Sequence, residues 1–215
     1  MTDLQIKIAN DGDTSVISHF ICEHFNDYEP IQVFHVRKDE EMDPPPPDLV
    51  RECLESETTL LAYLENKLVG VLIAGEINSD IAEKDIEYAG DYGPKGTDVF
   101  AFLSYIGEKA DICNRLNIPR CLHVHILSIH LDHLGQGIAK KMFAACIENG
   151  RKKNFPAYSV DCTSYYTAKI AESFHMNCLS LVTYDEYNER LGKTLFIPSE
   201  PHTTIKTFVK SYDEK

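Results

Sequence analysis

Residues 122–145, LHVHILSIHLDHLGQGIAKKMFAA, constrain the architecture of this chain more than any other stretch. An apolar run reads as a buried strand, Gly135 and Gly137 interrupt the pattern, and an amphipathic helix running to about residue 152 follows at once. Strand, glycine loop and helix in that order belong to an α/β domain. The first N–H groups of such a helix lack intrahelical partners, and the positive end of the helix dipole adds to their attraction for anions. The loop Leu134-Gly135-Gln136-Gly137-Ile138-Ala139 is therefore a candidate pyrophosphate cradle, although a glycine pair alone equally describes a tight strand-to-helix turn.

Two nucleotide-binding patterns with glycines after a strand are excluded. No Gly-Lys-Ser or Gly-Lys-Thr follows, as a Walker loop requires, and Lys140 stands where a dinucleotide fingerprint needs its third small residue. That fingerprint also opens a βαβ unit, whereas this loop lies in the second half of the chain. The loop is similar to the Q/R-x-x-G-x-G/A pattern of the GNAT acetyltransferase superfamily, with Leu134 departing at its first position. Main-chain amides do most of the phosphate binding in such a loop, so the departure leaves the mechanism in place.

Around this motif, periodicity predicts a strand over 4–8 and a helix over 14–25 with Val16, Ile17, Phe20, Ile21 and Phe25 on one face. A turn at Asp27 to Pro30 and a mixed stretch to Asp43 lead to four prolines, which suit the entry to a helix carrying Leu49, Val50, Cys53 and Leu54. Residues 59–64 and 68–74 read as a β-hairpin expected at the centre of the sheet, and the polar, glycine-punctuated segment 78–97 as a mobile loop. A helix over 98–117, strand 121–129, helix 137–152, strand 157–162, helix 165–175 and strands near 178–184 and 203–209 complete the chain. One domain spanning 1–215 is expected. The order of elements departs from a doubly wound fold, in which strands and helices alternate from the start.

Four separated segments resemble the insect arylalkylamine N-acetyltransferases of the GNAT superfamily. They are Asp27-Tyr28-Glu29-Pro30-Ile31, the strand end His125-Ile126-Leu127-Ser128-Ile129-His130 with its glycine loop, Asp161-Cys162-Thr163-Ser164-Tyr165-Tyr166-Thr167-Ala168, and Pro201-His202-Thr203-Thr204-Ile205-Lys206. The resemblance spans most of the chain and implies an α/β GNAT acyltransferase fold, a mixed central sheet with splayed parallel strands and flanking helices. It further implies acetyl-CoA as co-substrate and a small primary amine as acceptor, such as dopamine, tryptamine, serotonin or octopamine. Transfer would be direct, in a ternary complex.

The resemblance also assigns roles. Alkylamines are protonated near neutral pH and need a base, and Glu29 stands in the family's Glu-Pro setting. By residue type alone it is a solvated turn position among 34 acidic residues. His123 and His125 alternate on their strand and so share a face, about 7 Å apart along it. Vertebrate relatives carry histidines at this spacing, which suits a proton relay; buried, hydrogen-bonded imidazoles are the plainer alternative. Leu127, Ser128 and Ile129 would meet the pantetheine arm through their backbone, the N–H of Leu127 or Ser128 polarising the thioester carbonyl. Leu134, Gly135, Gln136, Gly137, Ile138 and Ala139 would hold the diphosphate. The tyrosine acid of many GNAT enzymes falls on Ala171 here, while Ser164 and Thr167 match hydroxyl positions of the insect family, with helix capping as the alternative role. Tyr165 and Tyr166 are further candidates for the acid. The first helix, the proline-rich turn and the hairpin would form the amine pocket, with Tyr28, Phe34 and Tyr63 meeting an aryl group; His130 and His133 would face solvent.

Two other readings keep this fold: a polyamine or agmatine acceptor, and a non-catalytic acyl-CoA-binding protein, for which Leu134 and Ala171 leave room. A net charge of −13 suits a cationic small molecule and argues against nucleic acid or an anionic membrane as partner. No apolar run approaches the roughly 20 residues of a membrane span, and MTDLQIKIANDGD lacks the regions of a signal peptide, so a cytoplasmic protein is expected. Seven cysteines without a CxxC pair, and histidines without a completing carboxylate or Cys spacing, indicate neither a disulfide framework nor a metal site. A hydrolase elbow of the Gly-x-Ser-x-Gly type is absent from the sequence.

Overall fold

The computed structural model describes residues 4–42, 44–90 and 92–213, so the boundary at Asp43 and the loop position Asp91 fall outside it. Strand β1 (Gln5–Ile8) leads into helix α1 (Thr14–His24), which buries Ile17, Phe20 and Ile21 and leaves Val16 exposed. Pro30 then opens a short helix, α2 (Pro30–Phe34), inside the stretch expected to be irregular. Five residues are too few for helical periodicity to register in a sequence. Helix α3 (Pro47–Glu55) starts at the last of the four prolines and buries Val50, Cys53 and Leu54, as its spacing predicts. The hairpin β2 (Leu60–Leu64) and β3 (Lys67–Ile77) turns at Glu65 and Asn66, both with positive φ.

The segment expected to be a mobile loop instead contains α4 (Ile81–Ala89) and the start of α5 (Pro94–Ala110). Two of its glycines and its proline are helix punctuation: Gly90 ends α4, Gly93 caps α5 and Pro94 is the first helical residue of α5, while Gly96 lies inside that helix. Asp111, at φ 41, breaks the next expected helix, and the chain resumes as α6 (Ile112–Leu116). Then follow β4 (Cys121–Ile129), α7 (Ile138–Lys152), β5 (Ala157–Cys162), α8 (Tyr165–Ser173), β6 (Asn177–Thr183), α9 (Tyr184–Leu191) and β7 (Thr204–Ser211). Helix α9 leaves little periodic signal in the sequence, because only Tyr184 and Tyr187 of its polar run are buried.

The strands form one mixed sheet in the order β1-β2-β3-β4-β5-β7-β6. Strand β4 occupies the centre and the hairpin lies to one side of it, which corrects the expectation that the hairpin would be central. On one face Leu122 and Val124 pack with Met142, Phe143 and Cys146 of α7; on the other, Val71 and Ile73 pack with Ile17, Phe20, Val50 and Cys53. The pair β4–β5 is parallel and short: Leu122, His123 and Val124 face Tyr158, Ser159 and Val160, and there the pairing ends. Strand β4 nevertheless stays paired with β3 as far as Ile129, through a register shift that leaves His125 unpaired between Val124 and Ile126. The His130 N–H donates to the Val69 carbonyl of β3 at 2.9 Å, so by alternation the N–H groups of Leu127 and Ile129 point the other way, into the opening.

Candidate active site

Where β4 and β5 part, the sheet opens onto a cavity of ≈ 380 Å³. Its walls are mainly apolar, with Phe25 and Ile31 on one side, the proline turn Pro44–Pro46, and Val99, Phe100 and Leu103 from α5. The Tyr92 hydroxyl donates to the Pro44 carbonyl at 2.5 Å and ties the proline turn to the start of α5. Tyr28 lines the cavity as expected. Phe34 instead packs against Tyr184 in the core, Tyr63 packs on the sheet face covered by α1 and α3, and among the described residues the hairpin strands contribute nothing to the lining. Helices α4 and α5 take the place expected for the hairpin.

Glu29 lies just before α2 and is 7% exposed. Its Oε2 accepts from the Gln32 backbone N–H at 2.9 Å and so caps the helix, while Oε1 is buried without a hydrogen-bond partner. Burial pushes this carboxyl above the ordinary carboxylate range, opposed by the Gln32 amide, the nearby Thr163 hydroxyl and the Ile31 amide. Glu29 is therefore a fixed, desolvated carboxylate on the cavity wall, not the solvated turn position that its residue type suggests.

His123 and His125 do share a face, with ring centroids 4.8 Å apart. Burial lowers both, His123 to about 4, and His125 is lowered further by the neighbouring His123 and Lys84, so both imidazoles are neutral near pH 7. His123 Nδ1 lies 2.9 Å from the Ser159 hydroxyl, and its Nε2 is 3.7 Å from Asp161 Oδ2. The Thr207 hydroxyl donates to Asp161 Oδ1 at 2.5 Å. Burial nonetheless pushes Asp161 up to about 6, and burial together with the Asp161 charge pushes Asp85 of α4 up to about 8. Both carboxyls line the same cavity as Glu29.

Sequence reasoning gave no role to Asp85, Asp161 or Thr163. Alternation past the end of β5 puts Asp161 and Thr163 on one face, a signal present in the sequence. Asp85 has no such signal, because the polar, glycine-punctuated sequence around its helix reads as loop.

The glycine loop has the backbone its sequence demands: Gly135 and Gly137 have φ of +73 and +76, and a Cβ on either would meet nothing within 4 Å. Leu134, Gly135, Gln136 and Gly137 are exposed, Ala139 is half-buried, Ile138 is buried, and the Gln136 side chain donates to the Asp132 carbonyl at 3.3 Å. The Ser128 hydroxyl donates to the His24 carbonyl at 3.0 Å, holding β4 to α1. Against expectation, neither His130 nor His133 is fully exposed; the His130 ring lies 4.2 Å from that of His24 and 5.5 Å from that of His133. Ser164 caps α8 by accepting from the Tyr166 N–H at 3.2 Å, and both Ser164 and Thr167 line the cavity, so capping and a place in the site coexist. Tyr166 also lines it, whereas Ala171 is fully buried in the core. His202 Nδ1 accepts from the Tyr165 N–H at 3.0 Å and anchors the start of the same helix.

Residues 19–175 match the acetyltransferase (GNAT) family. A crystal structure of an agmatine N-acetyltransferase mutant is 25% identical, with 97% of this chain covering 99% of that one at a TM-score of 0.86. A mosquito arylalkylamine N-acetyltransferase like 5b is also 25% identical, covering 97% and 100% at a TM-score of 0.87. A Drosophila melanogaster polyamine N-acetyltransferase, described as forming N-acetylagmatine, is 24% identical over 97% and 100% with a TM-score of 0.85.

Proposed function

The chain belongs to the acetyltransferase (GNAT) family, and we propose that it transfers the acetyl group of acetyl-CoA directly to the primary amine of a small molecule. The observation that carries this reading is the buried Glu29 carboxylate, held on the wall of the cavity into which the sheet opens. Acetyl-CoA fits the surroundings: the N–H groups of Leu127 and Ile129 face the opening, and the exposed glycine loop begins a 15-residue helix whose free amides suit a diphosphate. The pantetheine arm would extend β4 on its open side, and a backbone N–H there would stabilise the developing oxyanion.

Glu29 would take the proton of the incoming ammonium, directly or through a water, and its carboxylate would attract that cation first. His123 and His125, neutral at pH 7, are suited to pass the proton onward. Ser164 or Thr167 would assist departure of the CoA thiolate in place of the tyrosine that Ala171 replaces. The apolar, aromatic walls support an arylalkylamine as acceptor. A polyamine or agmatine is the second reading, favoured by the two additional carboxyls, Asp85 and Asp161, in the same cavity.

The test is thiol release from acetyl-CoA with tryptamine, dopamine, octopamine, agmatine and spermidine, for wild type and Glu29→Gln. We expect turnover with one class of amine and a loss of roughly 10²–10⁴-fold in kcat/KM for the variant at unchanged acetyl-CoA affinity. Tight acetyl-CoA binding without turnover of any amine would overturn the enzymatic reading in favour of a binding protein.

A further inference from the structure

We infer that Asp85 and Asp161 form a subsite for a second positive group, which decides between the two acceptor readings in favour of the second, a diamine or guanidinoalkylamine over a monoamine. This rests on the transferase reading and specifies its substrate. Both carboxyls line the cavity that also contains Glu29. Among the described residues the Asp85 side chain makes no hydrogen bond or ion pair, and Asp161 has only the Thr207 hydroxyl at 2.5 Å and the longer contact to His123 at 3.7 Å.

Two acids facing one largely apolar space repel each other and lose hydration, a cost that an opposite charge offsets. Among the described residues no side chain supplies one: Lys84, one turn before Tyr88 on the same helix as Asp85, is committed to Glu52 at 3.0 Å, and the two histidines are neutral. Glu29, nine-tenths buried and with an unpartnered Oε1, provides a separate anionic point on the same cavity wall. A ligand carrying one cation satisfies one of these points; a ligand carrying two satisfies both.

The spacing fixes the ligand's length. Glu29 lies beside Thr163, the first residue after β5, and Asp161 is two residues back in the chain, roughly 7 Å where the backbone stays extended, the reach of about four or five methylenes. The acetylated nitrogen would sit at Glu29 and the far ammonium or guanidinium between Asp161 and Asp85. An arylalkylamine would instead turn its ring toward this acid pair.

The experiment measures kcat/KM of the intact chain for putrescine, cadaverine and agmatine against butylamine, pentylamine and tryptamine, with diaminopropane and diaminooctane as length controls. We expect the dications of intermediate length to exceed the monoamines by at least about 30-fold, as for removal of one partner from a buried charge pair, chiefly through KM. In Asp85→Asn and Asp161→Asn that ratio should collapse toward one. Equal use of monoamines and diamines by wild type, or a ratio that survives both substitutions in folded variants, would overturn the subsite while leaving the transferase reading intact. No turnover with any amine would instead sink the transferase reading and the subsite with it. Should a variant fail to fold, the wild-type ratio and the length series still decide.

Discussion

Glu29 carries two opposing demands in one carboxyl group. Burial raises its proton affinity, while the Gln32 amide and the Thr163 hydroxyl lower it. In its proposed role as base Glu29 works only when ionised, so activity should fall as the pH drops through its raised pKa. Replacing Thr163 by Val removes one lowering contact. The acid limb of the kcat/KM profile should therefore move to higher pH, and a limb unmoved in a folded, active variant would show that Thr163 does not tune the base. The position of Glu29 was legible through its Glu-Pro setting, but its burial was not, because burial comes from Thr163, Tyr184 and other residues distant in sequence. Asp161 stood in a recognised segment without a role, since its neighbours Thr207 and Asp85 meet it only in the fold.

Elements with a strong local signature were legible and short or polar ones were not. Strands β4 and β5 end where their apolar runs end, whereas α2 is too brief and α4 too polar to announce itself. The cost of missing α4 was specific: the acid it brings to the cavity was missed with it. The glycine loop makes an element-scale prediction. Gly135→Ala and Gly137→Ala would each hold a non-glycine residue at positive φ, costing about 1–2 kcal/mol of stability without any clash. Their Cβ atoms would stand where a diphosphate must approach the backbone, so calorimetry should show acetyl-CoA affinity falling about tenfold or more, a loss of at least ~1.4 kcal/mol of binding. Gly75→Ala is the contrasting case, because its Cβ would lie 2.7 Å from Cys53 Sγ and 3.3 Å from Cys53 Cα. That pushes α3 off the sheet, so a stability loss of about 1–3 kcal/mol is expected in urea titration with acetyl-CoA affinity unchanged.

Across the whole molecule, buried acids and buried histidines tilt stability in opposite directions over the same pH range. Folded Asp161 keeps its proton up to about 6, beyond its ordinary 3.8, so its contribution falls as pH rises through that window. Folded His123 refuses a proton down to about 4 that the unfolded chain accepts at 6.5, so its contribution falls as pH drops. Asp161→Asn leaves the histidine effect unopposed. The variant should gain about 2 kcal/mol above the folded Asp161 pKa, after allowance for partial exposure, and lose stability more steeply than wild type on acidification. Chemical denaturation at several pH values checks both signs; equal pH slopes in the two proteins would refute the account. The parting of β4 and β5 has a mechanical meaning as well. Strands β1 to β4 form one leaf and β5, β7 and β6 the other, and the leaves are stitched together along the sheet by three residue pairs. The weakest seam of the sheet is thus also the proposed docking slot, and a cofactor arm lying along β4 would act as a splint. Acetyl-CoA at a hundredfold excess over its Kd should add about 2.7 kcal/mol to the unfolding free energy. Amide exchange should slow first at Leu127 and Ile129, the two amides turned into the seam.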